Sequence, residues 1–138
     1  MPDIALARHL ADRLGFGPRP GDLDHIAKLG PDRWIEQQLH PASLALPKDV
    51  AVRLDLLRTL KMSPAEAFLE YGPPALRDVK DPEQRKEIQE RARIVPAEAI
   101  EARILRAIYS PAQLEESLVD FWFNHFNVFV AKGLDRLW

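Results

Sequence analysis

The sequence predicts an all-α protein, a multi-helix orthogonal or bundle-like array, and three observations carry that prediction. Apolar residues recur with a helical period in nearly every segment. Prolines stand at near-ideal helix starts, directly after Ser or Asp. No stretch shows the two-residue alternation, or the Asn-Gly and Asp-Gly turns, of β-hairpins.

Leu6, Leu10 and Leu14 mark one face of a first helix, which Gly15 ends. In the following Gly15-Phe16-Gly17-Pro18 the glycines are expected to adopt positive φ while Phe16 plugs the core. Leu23, Ile26 and Leu29 give a short second helix. Gly30-Pro31-Asp32 is a stop followed at once by a new start, and Trp34, Ile35 and Leu39 line the third helix. Val50, Leu54 and Leu57 line a fourth, with Leu56 and Leu60 widening its stripe. Ser63-Pro64-Ala65-Glu66 offers a capping box for a helix carrying Phe68, Leu69 and Tyr71, ended by Gly72-Pro73-Pro74.

Asp81-Pro82-Glu83-Gln84 repeats that start with an Asp cap, after an exposed loop at 78–81. From Arg77 to Arg106 charges of both signs alternate, with Glu87 and Arg91 at i,i+4, as on a solvated helix face. Pro96 is expected to break or kink this helix, leaving the Ala92 carbonyl unpaired and pushing Val95 out of helical geometry. Ile100, Ile104 and Ile108 stripe the helix beyond it, and Ser110-Pro111-Ala112-Gln113 begins the last. The chain so divides into a short-helix region at 1–72, charged and proline-interrupted helices at 73–109, and an aromatic-rich core helix at 110–138.

Composition narrows the functional classes. At 138 residues, 46% hydrophobic and 29% charged, the chain is long and apolar enough for one globular domain. A net charge of -2 gives no pull toward phosphate backbones. The one basic cluster, Arg8, Arg13 and Arg19, is offset by neighbouring aspartates, so nucleic acid is not an expected partner. The absence of cysteine excludes disulfides, thiolate metal sites and thiol catalysis. The N-terminus lacks the basic and apolar regions of a signal peptide, and no run approaches the ~18 apolar residues of a membrane span. A cytoplasmic location is the default expectation, the alternative being a leader upstream of this sequence.

The most informative segment is Ser110 to Lys132. At 100° per residue, Gln113, Glu116, Ser117, Asp120, Asn124 and Asn127 form one polar stripe. Leu114, Leu118, Phe121, Trp122, Phe126 and Phe129 cover the opposite side, extended by Val119, Phe123 and Val130. So apolar a helix is expected at the centre of a bundle, with Trp122 and the phenylalanines dominating local packing. His125 lies within the apolar face, between Phe121 and Phe129. Its structural reading is a buried neutral imidazole with hydrogen-bond partners. Its functional reading is a metal ligand or proton carrier. Asp120, Asn124 and Asn127 project away from His125, so one helix cannot gather all four around a metal. Among the other histidines, His40 is placed to meet helix-terminal carbonyls. No HExxH, GxSxG, paired-aspartate or phosphate-loop motif occurs, and no cofactor is expected.

Two segments resemble one known family. His9-Leu10-Ala11-Asp12-Arg13-Leu14-Gly15-Phe16-Gly17-Pro18 resembles the "HLLxRxxFGP" opening of a bacterial family of domains of unknown function, numbered eighteen hundred. Val119 to Val128, VDFWFNHFNV, is similar to its "DFWxNHFNV" block. Trp34 to Leu39 (WIEQQL) with His40-Pro41, and Leu105 to Ser110 (LRAIYS), fall in the expected order. The resemblance implies a helical, uncharacterised protein several times longer, with "NENYARELLELHTLG" and "GWT" elements that this sequence lacks. It also implies frequent export signals and genes that neighbour those of sulfatase-like proteins. It adds weight to His9, Trp122, Asn124 and His125 without assigning them chemistry.

The functional expectation is a helical structural or interaction module, the truncated N-terminal part of a larger bacterial protein, with no activity alone. Its expected partners are the remaining helices of that protein, or a second copy, through the Phe121, Trp122, Phe126 and Phe129 face. The alternative is that His125, with His9 as a second candidate, serves a metal or catalytic site of a full-length hydrolase-like enzyme. Asp120, Asn124 and Asn127 complete the candidate set, with His125 the candidate metal ligand.

Overall fold

The structure, a computed structural model, describes residues 3–126. It is all-α. The helices are α1 (Ile4–Leu14), α2 (Asp22–Leu29), α3 (Pro31–Gln38), α4 (Lys48–Asp55), α5 (Pro64–Tyr71), α6 (Pro82–Arg91), α7 (Ile94–Tyr109) and α8 (Gln113–His125). Short 3-10 turns at Pro41–Ser43, Arg58–Lys61 and Pro73–Leu76 join some of them. The described residues form two compact units, one from residues 3–50 and 105–126, the other from 51–104.

In the first unit α1, α2 and α3 enclose a small core. Ala7, Ala11, Ile26 and Trp34 are buried, with Leu10, Leu14, Leu23 and Leu29 packed around them. Alanines on the buried line of α1 leave room for the Trp34 indole to come close. Asp3 caps α1 by accepting from the Leu6 N–H at 2.9 Å. Gly30, at φ 92°, ends α2 and leads directly into Pro31 of α3, as the sequence predicts. The turn after α1 departs from expectation. Gly17 takes positive φ, but Gly15 is extended and Phe16 is half exposed rather than a core plug. Gly15 is required for closeness instead, because a Cβ there would lie 2.8 Å from the Gln113 Cβ.

In the second unit the expected capping box of α5 is complete. The Ser63 hydroxyl accepts from the Glu66 N–H at 3.3 Å, and Glu66 accepts from the Ser63 N–H at 2.7 Å. Asp81 caps α6 as expected. α6 buries no residue, in keeping with a solvated helix, though Arg93 pairs with Glu90 at 3.0 Å where Glu87 and Arg91 form no ion pair. Glu98 on α7 accepts from both the Thr59 N–H (2.7 Å) and the Thr59 hydroxyl (2.6 Å), anchoring the Arg58–Lys61 turn. The helix does break before Pro96, at Ala92-Arg93. It restarts at Ile94, so Val95 stays helical, its N–H pairs the Ala92 carbonyl at 3.3 Å, and Pro96 falls in the first turn, where its missing N–H costs no intrahelical bond.

Apolar stripes proved a poor guide to burial here. Val50 and Leu57 are buried, but Leu56 and Leu60 are exposed. Ile100, Ile104 and Ile108 all face outward, while Val95, Ala102 and Leu105 are the buried positions of α7.

The capping box predicts an acid limb to stability. Hydrogen bonds from the Ser63 backbone N–H, then from its hydroxyl, hold the Glu66 carboxyl below the ordinary carboxylate range. A carboxyl depressed on folding stabilises above its unfolded pKa, about 4.3, and that stabilisation is lost as pH falls through the folded value. Glu66→Gln is therefore expected to flatten the fall in urea midpoint below about pH 4.5. An acid limb identical in both proteins would exclude this role for Glu66.

Candidate functional site

The turn that launches α8 is built differently from its sequence signature. Ser110 does not cap the helix. Its hydroxyl accepts from the Ala112 N–H at 3.2 Å, and α8 begins only at Gln113. The cap comes from elsewhere in the fold: Gln38 on α3 accepts from the Leu114 N–H (3.1 Å) and donates to the Pro111 carbonyl (3.0 Å). Gln113 folds back, donating to the carbonyls of Ser110 (2.8 Å) and Ala107 (3.1 Å) while accepting from the Phe16 N–H (3.2 Å). Arg19, paired with Asp22 at 2.9 Å, donates to the Tyr109 carbonyl at 3.1 Å. Both glutamines are buried, and their amides satisfy backbone groups on both sides of the turn.

This node sets the orientation of α8, whose apolar face does not enter a core as the sequence predicts. From Gln113 to Asp120 the polar stripe faces inward, while Asn124 is exposed. Gln113 is buried, the Glu116 side chain is 11% exposed and lies 3.7 Å from Arg106, and Ser117 and Asp120 are half-buried. The apolar side faces outward. Phe121 is 55% exposed, Trp122 49% and Phe126 68%, with Leu118 and Val119 also exposed. α8 is thus not the central core helix of the described residues.

His125 is correspondingly exposed rather than buried. It lies in an aromatic cluster on the surface of α8, stacked on Phe121 (centroids 5.7 Å) and edge-on to Trp122 (5.4 Å) and Phe126 (5.3 Å). Trp122 stacks on Phe126 at 5.5 Å. Its place in the last turn suits the helix-terminal carbonyls. Asn124 donates to the Asp120 carbonyl (2.9 Å) and carboxylate (3.1 Å), a local bond along the helix. Asn127, Phe129 and Val130 lie outside the described residues. His9 is exposed on α1. His40 meets the Glu36 carbonyl at 2.9 Å, as expected of a histidine at a helix end. Among the described residues no group of three or more His, Cys, Asp or Glu side chains converges as metal ligands would. No described helix is long and apolar enough to cross a membrane.

Gln38, Gln113 and Arg19 are the residues that the sequence reading missed as organisers. A signal for Gln38 was present: it falls four residues after Trp34, and hence on the same buried face of α3. Gln113 was placed on the polar stripe, but not as a buried partner of backbone groups.

No curated protein and no solved structure matches the chain. A family model does, beginning at His9 and running through both segments whose wording resembled that family. The model, described as "Protein of unknown function (DUF1800)", matches residues 9–138, and the chain belongs to that family.

Proposed function

We propose that this chain is a helical structural and interaction module, without catalytic activity of its own, that packs the aromatic face of α8 against further helices of a longer protein. In the isolated chain the same face would drive self-association. The inversion of α8 carries this reading. Gln113 is held inward by specific hydrogen bonds and Glu116 lies nearly buried beside Arg106, while Phe121, Trp122 and Phe126 are exposed. Burying the exposed half of each of those rings would contribute roughly 1–1.5 kcal/mol, half the value for a fully exposed side chain. Clustered exposed aromatics of this kind mark interaction surfaces. The rival reading, a metal or catalytic centre at His125 and His9, requires converging ligands, and both imidazoles lie on exposed helix surfaces.

Sedimentation velocity over a concentration series tests the proposal. The unmodified chain is expected to associate, and a Phe121→Ser/Trp122→Ser/Phe126→Ser variant to stay monomeric with unchanged helicity. These side chains are exposed, so their loss leaves the described core intact. A compact monomer at every concentration would contradict the assignment of this face to helix packing.

A further inference from the structure

We propose that the cleft formed by the Pro73–Leu76 turn, α6 and the start of α7 binds a phosphorylated small molecule with an apolar body. The cavity is about 780 Å³, and it lies wholly within the second unit. That is within the range of small-molecule sites, roughly 300–1,000 Å³. Arg77, Arg85 and Arg93 line it, and no Asp or Glu does among the described residues. α6 carries charges of both signs, but the only one that it turns to the cleft is Arg85, and Arg77 and Arg93 join it from the segments before and after the helix.

The three guanidiniums differ in what they have left to offer. Arg85 is preorganised: its Nη1 donates to the carbonyls of Leu76 (3.3 Å) and Val79 (3.0 Å), leaving Nε and Nη2 available. Arg93 shares one contact with Glu90 at 3.0 Å and is otherwise solvated. The Arg77 guanidinium makes no hydrogen bond or ion pair among the described residues. Three guanidiniums less the Glu90 carboxylate leave two positive charges, which match a phosphate monoester carrying about -1.5 to -2. Arginine forks suit phosphate oxygens through paired, charge-assisted hydrogen bonds.

Tyr71 borders the cleft with its hydroxyl already engaged, since Arg58 donates to its oxygen at 3.4 Å and the hydroxyl itself bonds to Glu70. Burial, and then that bond to Glu70, pushes the Tyr71 hydroxyl above its ordinary value, so the contacts to phosphate rest on the arginines. Leu76, Ile88, Ala92 and Pro96 supply the apolar wall for the body of the ligand.

Phenyl phosphate is the probe, titrated calorimetrically into the full chain beside phenol and inorganic phosphate. One saturable site is expected, with phenyl phosphate binding more tightly than either fragment. An Arg77→Gln/Arg93→Gln variant is expected to weaken it at least about tenfold. Both side chains are exposed, and an unchanged thermal midpoint will show that the fold is retained. Absence of saturable binding overturns the proposal, as does equal binding of phenol or affinity indifferent to the two arginines. Retention on phosphatidic acid vesicles without binding of phenyl phosphate also overturns it, in favour of a membrane surface.

Discussion

Trp34→Ala is expected to destabilise the first unit by about 3–5 kcal/mol, the usual cost of truncating a core tryptophan. Trp34 is 7% exposed and is the largest of the four buried members of that core. Its neighbours Ala7 and Ala11 are too small to move into the space, and Ile26 is fixed on α2. The cavity would therefore remain largely open. Loss of Trp34 would also disturb Gln38, one helical turn along α3, and with it the cap on α8. Urea denaturation followed by circular dichroism measures the effect, with Trp34→Phe as the milder comparison. A loss below about 1 kcal/mol would place Trp34 outside the core.

The helices were legible in the sequence because their signals are local. Ser63 with Glu66, Asp81 ahead of Pro82, and Gly30 before Pro31 each satisfy or end a helix with residues a few positions apart. Which side of a helix faces inward is a different kind of fact. A hydrophobic period gives two faces, and the usual assumption sends the apolar one inside. In α8 that assumption fails because Gln113 finds three backbone partners from its buried position, and Glu116 finds Arg106. Those partners come from α1's exit turn and the end of α7, tens of residues distant in one case. Ile100, Ile104 and Ile108 show the same limit, since Ala102 and Leu105 are the residues of α7 that are buried. Small alanines carry little weight in a period, yet they mark close helix approach throughout this chain.

The candidate site was legible as a composition and illegible as a geometry. The aromatic string around Trp122 stood out, but His125 was expected inside the protein and lies on its surface. The arginine cleft left no trace, because Arg77, Arg85 and Arg93 look like ordinary members of a mixed charge run. Only the 3-10 turn at Pro73–Leu76 and the break before Pro96 bring them to one cavity.

Gln113→Leu is expected to cost about 2–3 kcal/mol, because it strands part-buried backbone groups rather than merely removing contacts. The Phe16 N–H and the Ala107 carbonyl lose their Gln113 partner, whereas the Ser110 carbonyl keeps Arg19 at 3.4 Å. Leucine would preserve much of the volume against Gly15, so the loss reports hydrogen bonding rather than a cavity. Gln38→Leu is expected to cost somewhat less, since it releases two groups, the Pro111 carbonyl and the Leu114 N–H. The double variant separates two descriptions of the turn. If both glutamines hold one shared geometry, the first loss already loosens what the second would break, and the costs combine to less than their sum by about 0.5 kcal/mol or more. Strict additivity would mean that the two amides act independently. A shared geometry would also connect stability to function. The two glutamines that draw the polar stripe inward are then the cause of the outward aromatic face, and the Gln38→Leu/Gln113→Leu variant should weaken self-association while Phe121, Trp122 and Phe126 remain in place.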